Sequence, residues 1–422
     1  MRVVIASWGA AGDVLPTIAI GWELTRRGHR VTFVGNPYFA ARAAEAGLSF
    51  APVGTVADHE NLMADADVFD RATKSWQQIG AEHYFPHLEE LYRTVVEACH
   101  PGPSVIVGWE LASLAVAEKF GVPIAYVACS PWNCGWLWSK FDPPHPERTL
   151  PAWARWFAAS GRRLSLLYRL RGLARRIVIS RSDAPFRLPD DHPLARLRAR
   201  VGLPELSQFR AQRILCMWPE WFAPPQPDWP KEAVIAGFPL WPRPTFSASG
   251  GSTAASEGGP IVVTTGSLVA RQHKFYAAVV TACKALRRPA ILVTPHRDHV
   301  PRDLPPDIIH LEFAPFNELF GRASLVLHHG GIGTASYALA AGIPQIVMPM
   351  RGDQFDNCNR LARLGVATVL PEKEVRPERF ARAISALLDS KGVRQRCRYW
   401  QARIDPDEGL RRAADSVEEL AG

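Results

Sequence analysis

An α/β protein made of two parallel-sheet domains is what this sequence predicts, on three observations. Its 422 residues exceed what one hydrophobic core usually organises, and a 47% share of hydrophobic residues supplies enough apolar material for two. Short apolar runs alternate with helical segments along the chain, the pattern of parallel strands joined by crossover helices. Between two such series lie residues 241–259, rich in proline, serine and glycine and without periodicity, as a linker should be.

The elements follow in order. Residues 3–6 form a short strand of buried type, a turn passes through Gly9 and Gly12, and a helix runs to about Arg27. Gly28 ends that helix, and residues 31–34 are the next strand. A nicotinamide site is argued against here, because Gly9 and Gly12 lack the Gly-x-Gly-x-x-Gly spacing and the second strand ends in Gly35 and Asn36 rather than an acid. Strands at 105–107 and 124–127 flank a helix over 111–119, and residues 213–217 close the first sheet. The second series holds a strand and turn over 261–267, then strands at 291–293, 309–311, 325–327 and 345–348. The expected division is 1–240, a linker over 241–259, 260–393, and a helical segment over 394–422 that ends the chain.

Composition narrows the function classes. No apolar run of about 18 residues is present to span a bilayer, and the chain opens directly on a strand, so a cytoplasmic protein is expected. Seven scattered cysteines without a Cys-x-x-Cys pair read as reduced thiols. A net charge of +8 permits nucleic-acid contact, yet no nucleic-acid module is recognisable, and none is expected as partner. Arg162, Arg163, Arg169, Arg171, Arg175 and Arg176 alternate with leucines. That stretch reads either as a basic amphipathic helix at the inner face of a membrane or as a surface helix with its leucines in the core.

The clearest chemistry sits where the apolar run 325–327 breaks into His328, His329, Gly330, Gly331, Ile332, Gly333 and Thr334 and a helix begins. Glycines at a strand-to-helix turn let successive N–H groups converge on an anion, and a diphosphate is the natural guest. His328 supplies a further donor, and the turn at Thr265 and Ser267 is a second phosphate-sized candidate. Asp353 and Gln354, after one more helix and strand, pair an acid with an amide suited to sugar hydroxyls. Three tryptophans, Trp132, Trp136 and Trp138, follow another strand's end and read either as an apolar acceptor pocket or as packing beneath a long loop.

On these residues a resemblance can be stated. The stretch from Phe313 to Asn357, with its Phe313-x-Pro315 turn, its His-x-Gly turn and its Asp353–Gln354 end, resembles the nucleotide-sugar signature of family 1 glycosyltransferases. Over its full length the chain is similar to the rhamnosyltransferases of that family that form rhamnolipids, notably around Trp221 to Pro225, Asp228 to Pro230 and Gly237 to Pro239. The resemblance implies the GT-B fold, two Rossmann-like domains facing each other across a cleft, with the last helix packed back on the first domain. It implies a nucleotide-sugar donor, an apolar hydroxylated acceptor and no cofactor.

Further site residues follow as implications of that resemblance. In similar members a histidine or aspartate of a Gly-[His/Asp]-x-x-Pro turn is the general base, which falls here on Asp13; a helix cap is the alternative. Phe313 becomes the platform for the base, or else a core aromatic at a strand end. Uridine-specific plant members carry a glutamate eight residues after the first motif histidine where this chain has Ser336, which favours a thymidine diphosphate sugar such as the rhamnose donor. Those members also pair their histidine with an aspartate at a place that here reads Trp109 and Glu110, leaving Glu110 open. Asp65-x-Asp67 and Asp405-x-Asp407 match a loose metal motif but lie far from the strand ends that should bear the donor. No metal requirement is expected.

Overall fold

The computed structural model describes residues 1–65, 68, 76–100, 102, 104–132, 142, 189–206, 211–245, 258–266 and 272–422. Two sheets organise them. The first holds β1 (Arg2–Ala6), β2 (Arg30–Gly35), β3 (Ser49–Pro52), β4 (Ser104–Gly108), β5 (Ile124–Ala128), β6 (Arg213–Cys216) and β7 (Ala233–Ile235), in the order β3-β2-β1-β4-β5-β6-β7. The second holds β8 (Ile261–Thr264), β9 (Ala290–Val293), β10 (Ile308–Leu311), β11 (Leu325–His328), β12 (Gln345–Val347) and β13 (Ala367–Val369), in the order β10-β9-β8-β11-β12-β13.

Every pairing between these strands is parallel, so the expected fold class stands. Central strands read as unbroken apolar runs because helices cover both faces. In β1, Val4 is flanked by Thr32 and Ile106, and in β11, Val326 is flanked by Val262 and Gln345. Residues 213–216 do not close the first sheet; β7 lies outside them, and β3 and β13 are further edge strands that the pattern did not predict. These three are only three or four residues long and half-buried or exposed throughout, so they lack the apolar run that marks a central strand.

The chain passes between the two bodies twice. On the way out, the Tyr337 hydroxyl donates to Pro242 O at 2.8 Å and the Thr245 N–H donates to Asn317 O at 3.0 Å, so the second body already holds residues 242 and 245. The way back leads into the helix Glu408–Leu420, which buries Leu410, Ala413, Ala414 and Val417 against the first body's core. That i, i+3, i+4, i+7 face is the stripe of an amphipathic helix, and burying Leu410 and Val417 stabilises the docking by about 1.5–3 kcal/mol each. Arg27, at the end of the helix Ala11–Arg26, adds ion pairs to Asp415 (2.6 Å) and Glu418 (2.8 Å). A Cβ on Gly409 would lie 2.3 Å from Phe238 O, so only glycine allows this approach.

Both sheets share one topology, and each reverses direction beside its first strand, between β1 and β4 and between β8 and β11. Open parallel sheets bind ligands beyond the carboxyl ends of the strands at such switch points. The turns after β1, β4, β8 and β11 therefore frame the site.

Candidate active site

Asp13 is the third residue of the helix that follows β1, and its Oδ2 accepts the Ala10 N–H at 3.1 Å. Gly9 makes room for it: φ there is +132°, and a Cβ would stand 2.8 Å from that same oxygen. Helix capping is thus one task of this carboxylate. It is not the whole account, because the group is half-buried and burial holds its pKa up at about 7, against the pull of the Ala10 N–H and with the charge of Asp353 adding to the rise. Behind it, after β4, Glu110 is fully buried and accepts the Trp8 N–H. Burial raises Glu110 well above the usual carboxylate range, the Tyr84 and Trp8 bonds oppose this, and Asp13 adds to it.

Asp353 comes from the other body, just before the helix Gln354–Arg363. Burial lifts its pKa to about 6, opposed chiefly by the Asn357 amide, which donates to it at 2.8 Å, and less by the Ser130 side chain of the first body. The same Asn357 amide donates to Gly330 O at 3.1 Å, which ties the acid to the glycine turn after β11. A Cβ on Gly330 would meet Cys358 Sγ of that helix at 2.4 Å, so turn and helix touch. The expected neighbourhood of anion turn and acid–amide pair is therefore present. Gln354 spends its amide oxygen on the N–H groups of Met350 (2.9 Å) and Arg351 (3.2 Å), bracing the turn that aims Asp353. Arg351 crosses between the bodies, donating to Val68 O at 2.6 Å.

His328 requires a correction. It is fully buried, its Nδ1 accepts the Gly330 N–H at 3.2 Å, and its Nε2 lies 2.9 Å from Gln345 Oε1. With both ring nitrogens engaged and burial pressing its pKa to about 4, this ring braces the turn and cannot face a ligand. Strand alternation sends His328 to the face of Val326 and His329 to that of Leu327, both fully buried, so the burial of the rings themselves and not the pattern tells the two apart. His329 points the other way, half-buried between the glycine turns, since a Cβ on Gly266 would stand 2.7 Å and one on Gly331 2.5 Å from its ring. Its Nδ1 is buried without a hydrogen-bond partner among the described residues, and burial together with His328 depresses its pKa to about 3. Of the two histidines, His329 is the less enclosed and the one that lies between the two glycine turns.

The helix Ile332–Ala341 starts at Gly331, and the first N–H groups of a helix have no acceptor within it. Those of Ile332, Gly333 and Thr334 are therefore open to an anion, and Ile332 packs against buried residues of both bodies. Thr265 fares differently: its hydroxyl is buried and shares a hydrogen bond with the Tyr276 hydroxyl at 3.1 Å, so the turn after β8 offers backbone instead. Ser336 is buried with its hydroxyl on Gly333 O at 2.8 Å, so it is not placed to read a ribose. Phe313 is 68% exposed, which removes the core-aromatic alternative. The guanidinium of Arg42, from the first body, lies 5.8 Å from its ring, a contact with no sequence signal. Pro315 precedes the helix Phe316–Leu319 and sets its start.

Ser267, Trp136, Trp138, Asp67 and the arginine-rich stretch 162–176 lie outside the described residues, while Trp132 is half-buried after β5. Asp65 is bonded to His83 at 2.8 Å, and Asp405 accepts the Asp407 N–H at 2.9 Å. No described helix is long and apolar enough to cross a membrane.

Comparison with known proteins agrees with this geometry. Residues 3–135 match the family described as glycosyltransferase family 28 N-terminal domain, and residues 287–404 match the erythromycin biosynthesis protein CIII-like C-terminal domain. The chain is 26% identical to the O-mycaminosyltylonolide 6-deoxyallosyltransferase of Streptomyces fradiae, over 100% of this chain and 98% of that protein. It is 29% identical to glycosyltransferase GtfC of Amycolatopsis orientalis, over 88% and 86% of the two chains. Among solved structures, the spinosyn rhamnosyltransferase SpnG complexed with thymidine diphosphate superposes with a TM-score of 0.60 over 100% of both chains at 19% identity, a likeness of fold. Two matched family segments, one in each body, and relatives aligned along the whole length place this chain among the family 1 glycosyltransferases of GT-B fold, as a sugar-transferring enzyme.

Proposed function

We propose that this glycosyltransferase moves a deoxysugar, rhamnose in the first instance, from a thymidine diphosphate donor to a hydroxyl of an apolar acceptor, with inversion and without a metal. The observation that carries the reading is Asp13 of the first body, whose charge and that of Asp353 in the second act on one another, with Asp353 tied through Asn357 to the glycine turn that opens the helix at Gly331. Asp13, with a pKa near 7, takes the proton of the acceptor hydroxyl, and the freed oxygen lone pair attacks the anomeric carbon. The bond from that carbon to the diphosphate breaks on the opposite face, so a single displacement inverts the centre. The charge left on the diphosphate is received by the N–H groups of Ile332, Gly333 and Thr334 and by His329, the donors that stand where a metal would otherwise act. Asp353 accepts sugar hydroxyls, and Phe313, an exposed ring, is the platform on which the base stacks.

Thymidine diphosphate is supported by its presence in the SpnG complex, and a deoxysugar by the names of that protein and of the deoxyallosyl relative. Among apolar acceptors a hydroxylated fatty acyl chain follows from the resemblance to rhamnolipid-forming enzymes. The tylonolide relative favours a second reading, a natural-product aglycone in the same pocket. Mixing the protein with thymidine diphosphate rhamnose and each acceptor class in excess chelator, then reading products by mass spectrometry, tests the proposal. Rhamnosylated product and free nucleotide in chelator are expected. Turnover that requires added magnesium, or that occurs only with uridine diphosphate sugars, would refute it.

A further inference from the structure

The second body carries a cluster that the transfer chemistry does not use. His273 begins the helix His273–Ala285, and Asp298 and His299 belong to the short turn Arg297–His299 after β9. One ligand atom of each lies within 4.8 Å of the other two. Asp298 and His299 follow β9, one strand outboard of β8 and two from β11, while His273 opens the helix that leads from β8 to β9. His299 is buried, set edge-on to the His273 ring (centroids 4.8 Å, 76°) and tilted against His296 (4.7 Å, 32°). The Nε2 of His296 is itself buried without a hydrogen-bond partner among the described residues. Two imidazoles drawn up to one carboxylate, with the ring of His296 stacked behind His299, are not explained by packing, which would fill that space with apolar groups.

We propose that His273, Asp298 and His299 bind a divalent transition ion of the zinc class. Imidazole nitrogen selects such ions over magnesium and calcium, which prefer oxygen ligands, and Asp298 offsets part of the charge. Zinc bonds of ~2.1 Å set ligand atoms about 3.3 Å apart, so the three must draw inward. They have the freedom to do so, because His273 is exposed and the Asp298 side chain is 74% exposed, and the same exposure gives the ion access from solvent. Three protein ligands leave a fourth position to water. The rigid member is His299, held between His273 and His296. The bound ion ties the start of a helix to the turn after β9, so it steadies the second body rather than taking part in the displacement. A second group, Asp65, Glu82 and His83, is the weaker candidate, because Asp65 and His83 already satisfy each other at 2.8 Å.

The test uses the whole chain without a purification tag, stripped with chelator and titrated with zinc chloride by calorimetry, followed by thermal melts with and without zinc. One saturable equivalent and a rise in Tm are expected, with magnesium chloride giving neither. His273→Ala, at an exposed position, should keep the zinc-free Tm and the rate of sugar transfer yet bind zinc about 100-fold more weakly. Cobalt chloride should give wild type an absorption spectrum of nitrogen and oxygen ligation without thiolate bands, lost in His273→Ala. The proposal is overturned by the absence of saturable zinc binding, by binding that His273→Ala leaves unchanged, or by a cobalt spectrum that reports cysteine.

Discussion

Replacing Asp13 by asparagine separates the two tasks of this residue. Asparagine keeps a side-chain oxygen for the Ala10 N–H, now at 3.1 Å from Asp13, but it cannot take a proton. If Asp13 is the base, kcat falls by about 10²–10⁴-fold while nucleotide affinity holds. Stability should move the other way. The native pKa of about 7 lies above the ordinary 3.8, so the folded protein holds a proton that the unfolded chain has released, and the resulting penalty grows as pH rises and is complete above the native value. A rise of this size corresponds to at most about 4 kcal/mol, and partial exposure cuts it to roughly 1–2 kcal/mol. Asp13→Asn should therefore melt about 2–4 °C higher than wild type at about pH 8 and lose that advantage toward about pH 4. Wild-type kcat/KM should rise with pH up to about 7 and level off, each unit below costing about tenfold. Initial rates and scanning calorimetry across this range read both effects. A variant that transfers sugar at the wild-type rate, or a flat pH profile, would show that Asp13 is a helix cap alone.

The two histidines should part company. His329→Ala should cut kcat by about 10²-fold with little change in Tm, through lost stabilisation of the leaving diphosphate, whereas His328→Ala should lower Tm first by stripping the Gly330 N–H and Gln345 of their partner. Equal kinetic losses with unchanged stability in both variants would return the donor role to His328. Calorimetry should find thymidine diphosphate bound more tightly than uridine diphosphate, and Phe313→Ala should weaken both; a clear uridine preference would refute the donor assignment.

What could be read from the chain alone follows from which constraints are local. The glycine turns at Gly9 and Gly330 were legible because a strand that must reverse into a helix needs residues tolerant of φ +132° and +92° there. Asp13 and Asp353 were legible because each stands at the start of a helix that follows such a turn. Which of His328 and His329 is enclosed could not be read from the chain, because the residue pattern marks the turn while both faces of β11 are covered, Val326 and Leu327 being equally buried. Arg42 against Phe313, Ser130 against Asp353 and His273 against His299 are contacts between distant segments, and no spacing encodes them. The edge strands β3, β7 and β13 escaped because short half-exposed strands carry no continuous apolar run.

The meeting of Gly409 with Gly237 and Phe238 bears on how the cleft can move. The outgoing chain leaves the first body at Phe238 and is bonded to the second by Pro242, and the returning chain enters its last helix at Glu408, against that same spot. Two strands of a tether that cross side by side act as one swivel rather than as two separated hinges. Opening is thereby confined to a rocking of one body on the other about this point, with the greatest travel farthest from it. Either glycine given a side chain would wedge the swivel, changing the reach of the opening without touching a residue that handles the sugar.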